Sequence, residues 1–315
     1  MRKKISVIGA GNIGGTLAHL IALKQLADIT LIDIAKGIPQ GKALDLSQSS
    51  SIEMFDILIK GSNNYSSLKN SDVVIVTAGI PRLPGMSRDD LLETNTKIIS
   101  SIGRAIRQHC PKAFIICITN PLDAMVAVLQ KSSKVSKNMC VGMAGILDSS
   151  RMKYFLSKEL NVSIKNIETF VLGGHGDTMV PLLRYTTVSG IPIQELIKNK
   201  TISLKKINNI VKRTQNGGAE INKLLQKGSA FYAPASSAVQ MAESYLKDKK
   251  MILPCAAYLN GEYGIKNLYV GVPVIIGKKG VEKVIQLKLT DIEKRKFKKS
   301  TEAVRKLTNL AEKLL

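Results

Sequence analysis

Tryptophan is absent from the 315-residue chain, and aromatic residues make up only 4% of it. Surfaces that grip single-stranded nucleic acid interleave cations with aromatic platforms for the bases, and no such interleaving occurs here. Cysteine is nearly as scarce. Cys110, Cys117, Cys140 and Cys255 show no C-x-x-C spacing and mostly lie in apolar runs. That excludes a zinc or disulfide framework and predicts reduced core thiols in a cytoplasmic protein. No stretch reaches the ~18 apolar residues of a membrane span. The opening Met1-Arg2-Lys3-Lys4 before an apolar run has the look of a secretory leader, but Gly9, Gly11, Gly14 and Gly15 interrupt the run where a leader must be continuous. Acids are outnumbered as well, 24 against 46 Lys and Arg, for a net charge of +22. The lysines are dispersed, and the densest cluster is Lys294, Arg295, Lys296, Lys298 and Lys299. This reads as a solvated surface that speeds encounter with anionic small molecules, with no nucleic-acid or membrane partner.

Histidine is limited to three positions, which shortens the search for a proton-transfer group. His19 falls among Leu17, Leu20 and Ile21 in a helical pattern and is expected to pack there. His109 closes a helix before Cys110-Pro111, where a cation suits the helix dipole. His175 stands in Gly173-Gly174-His175-Gly176-Asp177, at the end of an apolar strand spanning 169–172. Glycines there permit a tight turn and close approach of a ligand, and an imidazole with a pKa of about 6.5 exchanges protons near neutrality. A plain Gly-His-Gly turn is the alternative.

Organisation is clearest at the start. The strand Lys4–Ile8 runs into Gly9-Ala10-Gly11-Asn12-Ile13-Gly14 and then a helical pattern over 16–26. This is G-x-G-x-x-G in the context where it binds a pyrophosphate on a helix N-terminus. A second strand, 29–32, ends in Asp33, 19 positions beyond Gly14 and close to the ~20 expected for an acid on a ribose diol. An acid there repels a 2′-phosphate, so the cofactor is NAD and not NADP.

More α/β units follow, with strands expected at 56–59, 72–77 and 114–118 and a helix at 88–109. The segment Arg82-Leu83-Pro84-Gly85-Met86-Ser87-Arg88 reads either as a basic surface turn or as a lid carrying guanidinium groups to an anionic substrate. Strand 114–118 leads into Thr119-Asn120-Pro121, at the end of a strand where parallel sheets bind ligands; Asn-Pro is equally a turn signal. Asp148 and Arg151 lie one helical turn apart at the start of a helix running to Leu160. They are either a helix-start acid with an incidental Arg, or an orienting carboxylate for His175 with a fork for a substrate carboxylate. A hairpin is expected about Ser189-Gly190, then helices at 204–226 and 235–247 and an antiparallel meander of strands at 252–258, 268–276 and 281–289. A capping box, Thr290-x-x-Glu293, opens a last helix whose Val304, Leu307, Leu310 and Leu314 should face the body. The fold class is therefore α/β: a Rossmann-type parallel domain over 1–144, followed by an α+β substrate domain with antiparallel strands over 145–315.

The chain resembles the malate dehydrogenases of lactate-dehydrogenase-like type. The likeness rests on Gly-Ala-Gly-Asn-Ile-Gly-Gly at 9–15, Thr-Ala-Gly-Ile-Pro-Arg at 77–82 and Gly-Met-Ser-Arg at 85–88. It continues with Ile-Thr-Asn-Pro at 118–121, Leu-Asp-Ser-Ser-Arg at 147–151 and Gly-Gly-His-Gly-Asp at 173–177. The resemblance implies hydride exchange between malate and NAD, with His175 as general acid/base and Asp148 fixing its tautomer. It implies substrate contacts from Arg82, Arg88, Asn120 and Arg151, Arg82 meeting the distal carboxylate of oxaloacetate and Arg151 forking onto the C1 carboxylate. Further cofactor contacts are implied at Asn95, Ile118, Thr119 and Asn120, with a cis Asn120–Pro121 bond and a homo-oligomer, a dimer or a tetramer. Lactate dehydrogenases share nearly all these motifs but typically carry Gln where this chain has Arg82. A basic nucleic-acid-binding protein on a Rossmann scaffold would leave Asp148, Arg151 and His175 without a task.

Overall fold

Val73-Val74-Ile75-Val76 and Phe114-Ile115-Ile116-Cys117 are buried throughout. A strand apolar on both faces needs cover on both, the condition of a parallel sheet flanked by helices. The computed structural model, which describes residues 2–81 and 88–315 except the side chain of residue 88, meets that condition. Strands β1 (Lys4–Ile8), β2 (Asp28–Ile32), β3 (Ile59–Ser62), β4 (Val73–Val76), β5 (Phe114–Cys117) and β6 (Cys140–Gly142) run parallel in the order β3-β2-β1-β4-β5-β6. Helices α1 (Asn12–Leu23), α2 (Ile38–Glu53), α3 (Arg88–His109) and α4 (Leu122–Ser133) connect them. The order reverses between β1 and β4, and it is at such a reversal that the strand ends leave a crevice.

Beyond β6 the chain enters α5 (Gly145–Leu160). Short antiparallel pieces follow: β7 (Ile167–Glu168), β8 (Val171–Leu172), β9 (Val180–Pro181), β10 (Thr187–Val188) and β11 (Ile191–Pro192). Then come α6 (Ile193–Lys198), α7 (Leu204–Gln215), α8 (Gly217–Leu225) and α9 (Tyr232–Leu246). The meander β12 (Met251–Asn260), β13 (Lys266–Gly277) and β14 (Gly280–Val284) precedes α10 (Asp291–Glu312). The meander does not form a sheet of its own. β12 pairs antiparallel with β6 at Ala256 and Gly142, so one nine-stranded sheet runs through the chain.

Several sequence expectations shift. The strand expected at 56–59 lies at Ile59–Ser62, because β2 sets its register by pairing Ile29 with Ile59. The expected helix 204–226 breaks at Asn216; a Cβ on Gly217 would lie 2.8 Å from Arg151 Cδ, so the chain turns where this arginine passes. His19 is exposed, not packed, because α1 buries Leu17, Ala18, Ile21 and Ala22 and turns residue 19 away from that face. In α10 the buried line is Phe297, Ser300, Thr301, Val304, Thr308 and Ala311, while Leu310 and Leu314 are exposed. The capping box forms as expected, with Thr290 and Glu293 each bonding the other's backbone N–H. The hairpin turns at Ser189-Gly190 as expected, but Val180–Pro181 pairs with β8 instead of extending it. All four cysteines are free and buried, and no helix among the described residues is long and apolar enough to cross a membrane.

One surface network fastens α9 to its neighbours. Glu243 receives Lys249 Nζ at 2.7 Å and Lys247 Nζ at 3.2 Å, with Lys24 at the end of α1 3.6 Å away. The Lys249 bond and its companions hold this carboxyl down at about 2 against burial. A folded-state pKa below the unfolded value stabilises above about pH 4.5, and that contribution is lost as pH falls toward 2. Because the three lysines are about half exposed, about 1–2 kcal/mol is expected of the ~3 that the shift implies. Glu243→Gln should lower urea stability by that amount at pH 7 and leave it unchanged near pH 2.

Candidate active site

The glycine loop has three distinct tasks. Gly9 has φ +105° and donates its N–H to Ile32 O at 2.7 Å; a Cβ there would lie 2.4 Å from Thr77 Oγ1. A Cβ on Gly14 would collide with Gly9 O at 1.9 Å, so this position seats α1 on β1. Gly11 has no atom within 4 Å of where its Cβ would be. That open space lies at the N-terminus of α1, where Gly11 offers no side-chain cap and the first N–H groups stay available to an anion.

Asp33 closes β2 beside this loop. Its Oδ2 accepts Ala10 N–H at 2.6 Å and its Oδ1 accepts Ala35 N–H at 3.0 Å. Asn63 braces the same corner by donating to Asp33 O and Ala35 O. A cleft of about 740 Å³ runs from here along the strand ends, past Gly9, Gly11, Asn12, Ile13, Ile118, Thr119 and Asn120. Open space at an uncapped helix N-terminus, an acid at one flank and an apolar trough beyond it fit a dinucleotide such as NAD. Asn63, Tyr65, Ser229 and Phe231 also line this cleft, and sequence reading missed them. Ala10 and Gly14 lie in the loop without lining it. Asn95 is fully buried, donates to Ile80 O and Asn120 O and accepts Ile80 N–H, so its amide is spent on shaping the cleft wall. Thr119 Oγ1 bonds Ala78 O at 2.7 Å, and the Asn120–Pro121 bond is cis.

Two helix starts converge on the turn between β8 and β9. Asp148, 1% exposed in the first turn of α5, accepts His175 Nδ1 at 2.8 Å through Oδ2 and Arg151 Nη1 at 3.0 Å through Oδ1. The structure thus brings together the three residues that sequence reading singled out there. Burial works against a charged imidazole, but the adjacent Asp148 carboxylate and its hydrogen bond, with Asp123, outweigh it and raise His175 above its ordinary pKa. Arg82 lies outside the described residues, and so does the side chain of Arg88.

Asp123 was not foreseen. It sits in the first turn of α4, buried, and accepts the backbone N–H of His175 through Oδ2 at 2.8 Å. Burial pushes its carboxyl up to about 6, partly offset by that bond. Its place three residues after Asn120 was the available signal. The turn is also bonded to β13, Gly173 and Gly271 exchanging N–H···O bonds at 2.9 and 3.1 Å. Among the described residues no group of His, Cys, Asp or Glu is arranged to hold a metal ion.

A dinucleotide cradle joined by one sheet to a carboxylate-held histidine is the arrangement of a nicotinamide-dependent dehydrogenase. The chain belongs to the lactate/malate dehydrogenase family: residues 3–142 match its NAD binding domain and residues 146–314 its alpha/beta C-terminal domain. It is similar to malate dehydrogenase of Cryptosporidium parvum, at 49% identity and a TM-score of 0.97 over 99% of this chain and all of that one. It is equally similar to lactate dehydrogenase of Eimeria maxima, solved with NADH and oxamate: 49% identity and TM-score 0.97, over 100% of this chain and 95% of that one. Malate dehydrogenase of Picrophilus torridus matches at 46% identity and TM-score 0.96, covering 100% of this chain and 98% of that one. The protein is an NAD-dependent 2-hydroxyacid dehydrogenase.

Proposed function

We propose that the substrate pair is malate and oxaloacetate. The observation that carries the chemistry is the His175–Asp148–Arg151 group, and the one that selects malate is Arg82 in the sequence. Bound NAD supplies the hydride acceptor at C4 of its nicotinamide. Asp148 accepts a hydrogen bond from Nδ1–H and so leaves Nε2 of His175 to take the proton of the substrate hydroxyl as the C2 hydrogen departs with its electron pair. The imidazolium so formed faces a fixed anion and costs less than it would in water. In the reverse direction the same imidazolium returns its proton to the carbonyl oxygen of oxaloacetate. Arg151 keeps donors beyond the one given to Asp148 and takes the C1 carboxylate with them. Asn120 at the cleft wall orients the substrate, and Arg88 supports the developing charge on oxygen. The 1–144 segment serves mainly the cofactor and lends Arg82, Arg88 and Asn120 to the substrate, while 145–315 supplies His175, Asp148 and Arg151.

NADH oxidation measured side by side with oxaloacetate, pyruvate and 2-oxoglutarate tests the assignment. Oxaloacetate should lead in kcat/KM by at least about a hundredfold; pyruvate leading would make the chain a lactate dehydrogenase. The cofactor end has its own test. Asp33→Ser removes the acid that repels a 2′-phosphate, so the kcat/KM ratio of NADH over NADPH should fall by at least about tenfold, and an unchanged ratio would relieve Asp33 of that role.

The assembly we propose is a homo-oligomer. Leu44 and Ile52 on α2, Met54 after it and Tyr232 on α9 are 61–81% exposed, an apolar face that a second copy would cover. Light scattering would report it.

A further inference from the structure

Serine within a helix normally returns its hydroxyl to a carbonyl one turn back. Ser300, in the middle of α10 and fully buried, does not. Its Oγ accepts the N–H of Gly174 at 2.9 Å and donates to Thr178 Oγ1 at 3.1 Å. Those two residues stand on either side of His175, one before it and three after. The glycines preceding the histidine are shaped to this contact. A Cβ on Gly173 would lie 2.5 Å from Ser300 Oγ, and one on Gly174 would lie 2.5 Å from Val304 Cγ2.

We infer that Ser300 is a positioning residue for the proton-transfer histidine, acting from the C-terminal helix through the backbone of its turn. The inference rests on the reading of His175 as general acid/base. Consecutive N–H groups, those of Gly174 and His175, are each taken by a side chain from a distant element, Ser300 on α10 and Asp123 on α4. Asp148 fixes the direction of the ring. Ser300 and Asp123 fix where the ring is attached. The charged groups facing His175 are Asp148 and Arg151 from α5 and Asp123 from α4. α10 meets the turn with the Ser300 hydroxyl and Val304, and β13 meets it with the backbone of Gly271. α10 thus acts on position and not on charge.

Ser300→Ala leaves the Gly174 N–H buried without an acceptor, and the turn relaxes to find one. For oxaloacetate reduction kcat should fall at least about tenfold, equal to ~1.4 kcal/mol of barrier, while the NADH dissociation constant stays within about twofold. Amide exchange should quicken at Gly174 and His175 and stay unchanged in β1 and α1. Ser300→Thr, which keeps the hydroxyl, should retain most of kcat. Thr178→Val removes only the outer partner and should cause a smaller fall, and with Ser300→Thr it carries the test should Ser300→Ala not fold. Wild-type kcat in folded Ser300→Ala or, failing that variant, in Thr178→Val would overturn the inference, as would equal losses in kcat and NADH affinity. His175→Asn is measured alongside. If that variant turned over normally, the acid/base reading itself would fail; if it is inactive while Ser300→Ala is fully active, only the positioning role fails.

Discussion

His175→Asn should reduce turnover by at least about a thousandfold in both directions and leave NADH binding intact. General acid–base catalysis is worth about 10²–10⁴-fold, and no other imidazole is available: His19 is on the outer face of α1 and His109 ends α3. Asparagine preserves the turn but cannot carry a proton between substrate and solvent. The cradle at Gly11 and Asp33 belongs to other elements, so fluorescence titration should return a near wild-type NADH dissociation constant. Asp148→Asn should be milder but still costly, since an amide can hold the ring in the wrong tautomer. The pH profile gives an independent check. Reduction needs the imidazolium, so its kcat/KM should be flat below the raised pKa of His175 and fall as pH climbs through it; malate oxidation should do the reverse. Asp148→Asn removes the main influence raising that pKa, and the reduction limb should move to lower pH. A limb that did not move would detach Asp148 from the histidine's titration.

Arg82→Gln should lower kcat/KM for oxaloacetate by at least two orders of magnitude and raise it for pyruvate. The two substrates differ by one carboxylate. Removing one member of a buried, hydrogen-bonded charge pair costs on the order of 2–5 kcal/mol, about 30- to several-thousandfold at 1.4 kcal/mol per tenfold. On the proposed role of Arg82, pyruvate in the unmodified enzyme would leave the guanidinium without its anion, so the arginine should also reject it. Arg151→Lys should behave differently. Both substrates carry the C1 carboxylate, and lysine supplies charge without the fork, so both should suffer alike. The decisive data are kcat/KM for the two substrates in wild type and both variants. Equal losses in Arg82→Gln would remove the physical basis for preferring malate over lactate.

What could be read beforehand follows from the range of the interactions. The glycine loop and Asp33 are local chemistry on consecutive elements, and α3 matches its expected span, 88–109, because an acidic first turn and a basic last turn mark its ends. His175, Asp148 and Arg151 were visible as residue types in telling company. Their supports were not. Asp123 is 52 positions from the N–H it holds, with only its place three residues after Asn120 as a signal; Ser300 is 126 positions from its own, and nothing along the chain announces it. His19 and Leu310 failed for a simpler reason. Apolar neighbours in sequence do not share a face when a helix turns about 100° per residue, and only the buried line tells which face is inside.

The pairing of β12 on β6 bears on how the molecule can be divided. A fragment stopping near residue 144 would carry every cofactor motif but lack the cleft residues Gly228, Ser229 and Phe231, and it would bare the outer edge of β6. That edge would present the backbone groups of Gly142, which pairs with Ala256 in the whole chain, in a strand whose three residues are all buried there. Open edges beside apolar surface recruit other chains. The isolated cofactor half should therefore self-associate more readily than the whole chain, since the meander that covers this edge would be gone.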